Sequence, residues 1–489
     1  MPNAKLLCVF GTGSDVGKSW IAAGLCRLFC NSGVSVAPYK AQNMSNNAGV
    51  TPAGLEMGRA QIVQAIAAGV VPHVDMNPLL LKPNSDLGAQ VIALGKILGT
   101  MSARDYFRGN KEHRWELVTS SLGRLMKHYE LIVAEGAGSC AEVNLRSRDL
   151  VNMPIAHYGD GQVVLVADIH KGGVFAQIVG TLECMPPEDR QRVKGVIVNR
   201  FRGDPTLFQD GVAWLEQRTG VPILGVVPWS FDIKIELEDA LSPTMKMDPP
   251  SPSNPDHVYA AILRLPHMAN FTDFDALARH GVKLHYLTEP RDLSSYDMLL
   301  LPGTKNTRGD LGWLREKGWE SLILSYTKPI FGLCGGYQML GEYIDDPVGI
   351  EGQPGQTKGL GLLPVRTTMQ SKKVTKQVKG QWGEVPLQGY EIHVGSTLVH
   401  GSSLINLVEH GVSRQEGAQK DQVFGTYLHG FFDAVGVVPK FLQMVRPDLE
   451  WPQLESHFDW RERQLNALAE HLREHLNTEL LSQLTGLKL

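Results

Sequence analysis

Short runs of Val, Ile and Leu recur along the chain between stretches of helical periodicity, and this alternation constrains the fold more than any other feature. Runs this continuous are typical of parallel strands buried on both faces of a sheet. One set of runs covers residues 6–10, 34–38, 131–134, 163–167, 193–198 and 223–227, and a second covers 258–265, 282–286, 298–301 and 329–332. Each set predicts an α/β domain built on a parallel sheet.

The two sets of strands predict two large domains, because 489 residues exceed what one hydrophobic core organises. Residues 241–257 separate the sets and are rich in proline, so we interpret them as a linker between a front domain, residues 1–240, and a second domain, residues 258–450. Residues 451–489 form a helical tail with leucines along one face and balanced charges. We expect this tail to pack on its own domain and not on a membrane.

Charge and cysteine content exclude several classes of protein. Lys plus Arg number 47 and Asp plus Glu number 51, so no basic surface points to nucleic acid or to an anionic membrane. The six cysteines form no Cys-x-x-Cys pair, which argues against zinc ribbons and structural disulfides. No apolar run approaches the length of a membrane span. We therefore expect a soluble cytoplasmic protein whose ligands are small molecules.

A glycine-rich loop, residues 11–19, follows the first predicted strand and precedes a helical pattern. This context predicts a phosphate site in which backbone N–H groups and the helix N-terminus hold ATP, Lys18 reaches the terminal phosphate and the Ser19 hydroxyl binds Mg²⁺. The loop is one residue longer than the common phosphate loop and is similar to that of dethiobiotin synthetase. The alternative is a glycine-rich turn with a chance Lys-Ser pair. The predicted ATP-binding residues are Gly13, Asp15, Gly17, Lys18 and Ser19.

Polar residues stand at the ends of later predicted strands, where ligands bind in open α/β sheets. Glu135 follows residues 131–134 and is a predicted Mg²⁺ ligand, although an acid that merely begins a turn is the alternative. Asn199 follows residues 196–198, and its amide could read the edge of the nucleobase. Asp168 is a weaker candidate, because a cap or turn former explains it equally well.

Residues 38–47 are dense in amide side chains and hold one lysine just after a predicted strand. Such groups suit a carboxylate held beside the γ-phosphate, so Lys40, Asn43 and Asn46 are the predicted substrate contacts. A polar loop without a ligand is the alternative.

The second domain carries a sharp turn from a predicted strand into a helix, with Cys334 among glycines at its apex. This pattern predicts a nucleophile elbow in which the following helix N-terminus stabilises the thiolate. The N–H of Gly335 would form one half of an oxyanion hole, and a backbone N–H of the Gly303 loop would form the other. The alternative is a small buried cysteine at a tight turn.

A cysteine nucleophile needs a general base, and two histidines lie in strand-like runs. His429 follows residues 423–428, and His393 lies within residues 389–395. Imidazole chemistry alone does not choose between them.

Together these motifs resemble the cobyric acid synthase family over nearly the whole chain, from Gly11 to about Phe432. The most specific pieces are residues 40–45, 58–61, 76–78 with 81–83, 270–275 and 389–393. The resemblance implies a dethiobiotin synthetase-like ATPase domain followed by a class I glutamine amidotransferase domain, with Cys334 as nucleophile and His429 as its base. It implies ATP at residues 13–19 and Mg²⁺ at Glu135. The implied reaction is the ATP- and glutamine-dependent amidation of the b, d, e and g carboxylates of a cobyrinic acid a,c-diamide corrinoid.

The chain departs from the family pattern at three places. His170 and Lys171 stand where an Asp-Arg pair is usual, and Cys140 stands where proline is usual, which changes the polarity of the nucleotide site. Phe431 stands two residues after His429, where many class I glutaminases have glutamate. We therefore expect a Cys–His dyad whose histidine is oriented by another group, for instance a backbone carbonyl.

Two other interpretations stay open at this point. The same machinery serves other acids in relatives such as the a,c-diamide synthase or a cell-envelope amidotransferase, and the front-domain loops favour the first family. In a different class, the front domain would be a partitioning or membrane-positioning ATP switch joined to a vestigial domain. Such switches carry a lysine five residues before the loop lysine, where this chain has Gly13, and the tail lacks their basic membrane helix.

Overall fold

The computed structural model describes residues 4–83, 88–236, 252, 254, 256–409 and 411–489. The predicted linker, residues 241–257, falls almost wholly outside the described residues. Two α/β domains lie on either side of it, which confirms the predicted fold class.

The strands of the front domain are β1 (Lys5–Gly11), β2 (Val36–Tyr39), β3 (Gln42–Met44), β4 (Ala48–Val50), β5 (Glu56–Gly58), β6 (Leu79–Pro83), β7 (Gly88–Ala93), β8 (Lys96–Ser102), β9 (Leu131–Glu135), β10 (Gln162–Asp168), β11 (Val193–Phe201) and β12 (Ile223–Pro228). Its helices are α1 (Lys18–Asn31), α2 (Arg59–Ala67), α3 (Ala103–Arg108), α4 (Lys111–Leu125), α5 (Met153–Tyr158), α6 (Val174–Cys184), α7 (Pro187–Arg190) and α8 (Gln209–Thr219). Short 3-10 turns cover Val74–Met76, Arg146–Arg148 and Pro205–Phe208.

The central sheet of the front domain is parallel, in the order β12-β11-β10-β1-β9-β2. All the predicted front-domain strands lie in it, with their ends shifted by a few residues. Helices α4, α5 and α6 pack on one face, and α1 covers the other. Because β1 lies between β10 and β9, the strand order reverses at the loop after β1, which is where open α/β sheets bind ligands.

The segment between β2 and β9 contains structure that the apolar runs did not reveal. Strands β3, β6, β7 and β8 form a second sheet, and β4 with β5 forms a hairpin. Most of these strands are short or only partly buried, so they lack the continuous apolar runs of the central sheet. Their position matters, because β3 borders the front-domain ligand cleft and the β4–β5 hairpin contacts the second domain.

The strands of the second domain are β13 (Tyr259–Leu263), β14 (Met268–Ala269), β15 (Lys283–Leu287), β16 (Met298–Leu301), β17 (Gly303–Thr304), β18 (Ile330–Leu333), β19 (Tyr343–Asp346), β20 (Gly355–Lys358), β21 (Val365–Trp382), β22 (Val385–Val399), β23 (Ile405–Glu409), β24 (Val412–Glu416), β25 (Ala418–Lys420) and β26 (Val423–Thr426). Its helices are α9 (Asp275–Arg279), α10 (Thr307–Lys317), α11 (Trp319–Ser325), α12 (Gly335–Leu340) and α13 (Val437–Val445), with 3-10 turns at Phe271–Phe274 and Phe431–Asp433.

The core sheet of the second domain has the order β15-β13-β16-β18-β26-β25 and is parallel except for β25. The predicted strands of this domain all lie in it. A long antiparallel pair, β21 with β22, belongs to a further sheet of order β20-β19-β21-β23-β24. This pair is only partly buried, and polar side chains interrupt its apolar residues, so no apolar run indicated it.

The tail forms two helices, α14 (His457–His475) and α15 (Thr478–Thr485), and returns to the front domain. Leu468 and Leu472 of α14 pack against α1, where Gly24 lets the helices approach: a Cβ on Gly24 would lie 2.4 Å from Leu472 Cδ1. Arg27 of α1 pairs with Glu462 at 2.9 Å. The expectation that the tail packs on its own domain is therefore wrong, because the apolar face of α1 needs a cover that the front domain does not itself supply.

Among the described residues, no helix is both long enough and apolar enough to cross a membrane.

We predict that Leu472→Ala lowers the stability of the front domain by about 2–5 kcal/mol, because the truncated side chain leaves a cavity against α1. The measurement is the urea midpoint of unfolding followed by circular dichroism. Leu324→Ala, at a half-exposed leucine of α11, is the matched control and should change stability by less than about 0.5 kcal/mol. Equal midpoints for the two variants would show that the tail adds nothing to the front-domain core.

Candidate active sites

The phosphate loop connects β1 to α1 and is braced from β11. Gly17 has φ 93°, a left-handed conformation that glycine adopts without strain. The Asn199 side chain donates from Nδ2 to the Val16 carbonyl at 2.9 Å, and a Cβ on Gly17 would lie 2.1 Å from that nitrogen. Asn199 thus positions the loop backbone, and its contact with a nucleobase stays a prediction.

Lys18 is held over the loop by two backbone carbonyls. Its Nζ donates to the carbonyls of Gly13, at 2.8 Å, and of Gly138, at 3.1 Å. The side chain is buried. An ammonium group held in this way places a fixed positive charge beside a bound triphosphate.

Asp15, at the rim of the loop, is clamped by two cations. Arg200 donates to its carboxylate at 3.1 Å and Lys171 does so at 3.2 Å. Burial opposes the ionisation of Asp15, but the two cations hold the pKa of its carboxyl below the usual value. Arg200 also pairs with Asp168 at 2.9 Å, so this arginine, which no sequence motif singled out, ties the loop to the ends of β10 and β11.

Glu135 is contacted by residues that follow or flank neighbouring strands. Because β1, β9 and β2 are adjacent in the sheet, the phosphate loop, Glu135 and Lys40 lie side by side at its carboxyl edge. Ser19 Oγ donates to Glu135 Oε1 at 2.7 Å, and Lys40 Nζ lies 2.9 Å from the same oxygen. Gln64 of α2 donates to Oε2 at 2.6 Å. The structure thus brings a predicted substrate contact, Lys40, onto the predicted metal ligand.

Ser19 and Glu135 fit a Mg²⁺ site of the kind that a nucleotide completes. Mg²⁺ bound with a triphosphate takes one or two protein oxygens, and phosphate and water supply its remaining ligands. A hydroxyl and a carboxylate 2.7 Å apart beside the phosphate loop match that donor set. Within the part of the chain that the structure describes, no cluster of three or more His, Cys, Asp or Glu side chains offers an alternative metal site.

A cleft of about 1310 Å³ opens from the phosphate loop along the same edge of the sheet. Lys18, Ser19, Lys40, Asn43 and Glu135 all line it. Asn43 is largely buried and donates to Gln61 at 3.0 Å. Asn46 lies outside the lining, so the structure brings two of the three predicted substrate contacts to the cleft.

At the departures from the family pattern, Lys171 keeps a cation in place of arginine, whereas His170 replaces a carboxylate. Lys171 supplies a cation to Asp15, and the ring of His170 packs edge-on against Trp229 at 4.9 Å. The N–H of Cys140 donates to the Gly11 carbonyl at 3.1 Å. Burial raises the pKa of the Cys140 thiol to about 12, so this side chain is neutral packing.

Cys334 lies between β18 and α12 with φ 51° and ψ −107°, a strained conformation that is typical of a nucleophile elbow. Small neighbours permit the turn, since a Cβ on Gly336 would lie 2.1 Å from the Leu301 carbonyl oxygen. The Cys334 sulfur lies 3.7 Å from the carbonyl oxygen of Ile392. The sequence therefore predicts the elbow conformation correctly.

Gly303, Cys334 and His429 surround one small space. A Cβ on Gly303 would lie 3.6 Å from Cys334 Cβ and 3.7 Å from His429 Cε1. A Cβ on Gly335 would lie 3.0 Å from the Thr304 nitrogen, so Gly335 packs on the same loop. These residues meet because β16, β18 and β26 are neighbours in the sheet. The oxyanion hole stays a prediction, and this geometry favours it.

His429 has an acidic partner, contrary to the expected dyad. Its Nδ1 lies 2.8 Å from Asp273 Oδ2, and the N–H of Gly430 donates to Asp273 Oδ1 at 3.0 Å. Burial disfavours the charged imidazole, but Asp273 and Cys334 raise the pKa of His429 to about 9. The orienting group is thus a carboxylate from the 270–275 motif and not a backbone carbonyl. Residues 270–275 are part of the family resemblance, but their spacing does not predict a contact with His429.

Phe431, at the place where glutamate is usual, is a core residue. Its ring centroid lies 5.1 Å from that of Phe331 and 5.4 Å from that of Trp382. The carboxylate that contacts His429 is Asp273, so position 431 can hold an apolar side chain of the core.

His393 is a poor alternative base. Its ring stacks on Tyr427 with centroids 3.8 Å apart, and its Nδ1 lies 2.7 Å from the Gly395 carbonyl oxygen. Burial lowers the pKa of His393 to about 3, and no carboxylate contacts the ring within the described residues. The geometry therefore favours His429.

The front domain reaches His429 through the β4–β5 hairpin. The N–H of Ala48 donates to Asn270 Oδ1 at 3.0 Å, and Asn270 Nδ2 lies 3.3 Å from His429 Nδ1. Tyr390 donates to the Ala48 carbonyl at 3.1 Å and stacks on the His429 ring with centroids 5.1 Å apart. Two residues that contact His429, Asn270 and Tyr390, are therefore positioned by the other domain.

We predict that Asp273→Asn lowers glutamine hydrolysis by about 10³–10⁴-fold, because the amide neither fixes the imidazole tautomer nor supports its charge. Release of glutamate is the measurement, and amidation with free ammonia should be retained.

The Asp273–His429 pair stabilises the fold fully below pH of about 6.5, and this contribution is lost as pH rises through about 9. The wild-type advantage over Asp273→Asn in unfolding midpoint should shrink across that window. If Asp273→Asn hydrolysed glutamine as fast as the wild type, Asp273 would not be needed and a Cys–His dyad would suffice.

Family models match both domains of the chain. Residues 7–242 match the CobQ/CobB/MinD/ParA nucleotide binding domain, and residues 260–436 match the CobB/CobQ-like glutamine amidotransferase domain. The chain is 50% identical to a cobyric acid synthase of Chlorobium phaeobacteroides (strain BS1), covering 98% of this chain and 99% of that one. It is also 50% identical to a cobyric acid synthase of Chlorobaculum tepidum, covering 98% of each. This chain therefore belongs to the cobyric acid synthase family of glutamine-dependent, ATP-using amidoligases.

Proposed function

We propose that this protein uses ATP and glutamine to amidate the b, d, e and g carboxylates of cobyrinic acid a,c-diamide, giving cobyric acid. The observation that carries the proposal is the presence on one chain of a Cys–His–Asp glutaminase site and a phosphate loop that opens into a large cleft. Cobyric acid synthases that match the whole chain support this choice of substrate.

In the glutaminase site, Cys334 attacks the glutamine carboxamide. The raised pKa of His429 favours its imidazolium form, so the proton needed by the departing ammonia is already in place. Backbone N–H groups of Gly335 and the Gly303 loop would hold the oxyanion. Water then releases glutamate from the thioester, with His429 as the base.

In the synthetase site, ATP supplies the phosphoryl group that turns a substrate carboxylate into an acyl phosphate. Lys18 and the loop N–H groups stabilise charge on the transferring group. Mg²⁺ would be held by Ser19 and Glu135. Lys40 is paired with Glu135. With Mg²⁺ bound at Glu135, Lys40 would be released from this pair and would turn toward the substrate carboxylate.

Two rival functions are separated by one assay. Purified protein is incubated with ATP, glutamine and, in separate reactions, cobyrinic acid or its a,c-diamide, and products are read by mass spectrometry. Four successive exchanges of hydroxyl for amide support the proposal. Amidation of cobyrinic acid instead of its diamide would favour an a,c-diamide synthase, and ATP hydrolysis without amidation would favour an ATP switch.

We predict that Lys18→Ala abolishes amidation with either glutamine or ammonia, because both nitrogen sources need the acyl phosphate. Amide formation is followed by mass spectrometry with each source. Lys194→Ala, at an exposed lysine of β11, is the control and should be unaffected. Normal ammonia-dependent turnover in Lys18→Ala would remove this lysine from the mechanism.

We predict that Cys334→Ala lowers glutamine-dependent amidation by about 10⁴-fold or more, the loss seen when a covalent nucleophile is removed. High ammonium at alkaline pH should restore product, because Cys334 has no part in phosphoryl transfer. Cys30→Ala, on α1 away from both sites, is the matched control.

Two results would contradict this account of Cys334. Full activity with glutamine would make the cysteine a packing residue. Loss of activity with both nitrogen sources in a folded protein would show that the glutaminase site is needed to assemble the synthetase site.

A further inference from the structure

Part of the cleft lining has a chemistry that a nucleotide does not require. Four apolar side chains that line the cleft are each at least 40% exposed: Met44, Phe107, Val143 and Leu145. Exposed apolar groups gathered in a cleft mark a binding surface. They would suit a ligand with a broad apolar body.

Four cations lie among these apolar groups and also line the cleft: Lys111, Arg114, Arg146 and Arg148. Arg146 pairs with Asp189 at 2.9 Å. In the described part of the chain, the other three form no ion pair with a carboxylate, so their charge is available to a ligand. We call these four residues the cationic wall.

Three of the four cations, Lys111, Arg114 and Arg148, are held in place by contacts that leave their charges unneutralised. Lys111 donates to the Ser147 carbonyl at 2.5 Å, which ties the start of α4 to the Arg146–Arg148 turn. The Arg114 guanidinium lies 4.4 Å from the Tyr106 ring centroid, and that of Arg148 lies 5.6 Å from the Phe107 centroid. Stacking on aromatic rings orients a guanidinium without cancelling its charge.

We propose that the cationic wall, with its apolar neighbours, is the site that binds the corrinoid by its peripheral carboxylates. A corrinoid has apolar faces and acidic side chains around its rim, and the cleft offers apolar surface with cations interspersed. This inference rests on the proposed function and adds the residues that recognise the corrinoid. The wall recognises carboxylates that are not reacting at that moment, while Lys40 and Glu135 lie at the reacting end of the cleft.

The diamide substrate and cobyric acid carry different charges, so they should bind the cationic wall with different affinities. Each amidation removes one negative charge from the ligand, so attraction to the cationic wall falls along the reaction series. We expect the diamide substrate to bind at least about tenfold more tightly than cobyric acid at low ionic strength. Salt screens exposed charges, so the difference should shrink as salt is added.

The test uses the full-length protein with ammonia as nitrogen source, so that the glutaminase plays no part. Arg148→Gln and Arg114→Gln should each raise the KM for the diamide by about tenfold, the size of one lost charge-assisted hydrogen bond at a partly exposed site. The KM for ATP should stay unchanged. Arg148→Lys should restore most of the affinity, and Arg218→Gln, an exposed cation on α8, is the matched control. Equilibrium dialysis of the diamide without ATP gives the binding constants directly.

The outcomes separate this inference from the proposed function. A wild-type protein that amidates the diamide, with both glutamine variants unchanged in diamide KM, overturns the cationic wall and leaves the function standing. A rise in the KM for ATP in place of the diamide assigns the cations to the nucleotide and also overturns it. A wild-type protein that neither binds nor amidates the diamide defeats both.

Discussion

A buried carboxylate shared by the two domains constrains the rest of the structure. Glu56 of the β4–β5 hairpin pairs with Lys82 of the front domain at 2.6 Å and with Lys373 of the second domain at 2.5 Å. Burial disfavours the charge of Glu56, but the two lysines hold the pKa of its carboxyl well below the usual value. Removing one partner from a buried pair costs several kcal/mol, so the domains are held in one register. That register brings Ala48, on the same hairpin, against Asn270 and Tyr390.

Both active sites use the same electrostatic device, a buried acid that is fully partnered and that positions a reacting group. Asp273 orients His429 and supports its positive charge, and Glu135 gathers Ser19, Lys40 and Gln64 beside the phosphate loop. In each case the acid lies near the edge of a parallel sheet and its partners come from neighbouring strands or helices. The low dielectric of the interior strengthens these pairs, and it also makes them costly to leave incomplete.

Much of both sites could be predicted from local sequence. The phosphate loop and the nucleophile elbow depend on a few consecutive residues, because glycines permit backbone conformations that few other sequences adopt. Buried strands were visible as continuous apolar runs for the same local reason. The β21–β22 pair lacks such a run, because polar side chains at partly exposed positions interrupt its apolar residues. The strand position of Asn199 did not reveal that its amide braces the phosphate loop, and its contact with a nucleobase stays a prediction.

By itself, the sequence determined the two α/β domains, the phosphate loop with Lys18 and Ser19, and the strained turn at Cys334. The tertiary structure alone decided that Asp273, 156 residues before His429, completes the glutaminase site, that the tail covers α1, and that the β4–β5 hairpin touches the second domain. The physical reason is the range of the interactions. Backbone conformation and hydrophobic periodicity are set within one turn or strand, whereas a carboxylate finds its imidazole only after sheets have packed and fixed which loops share an edge.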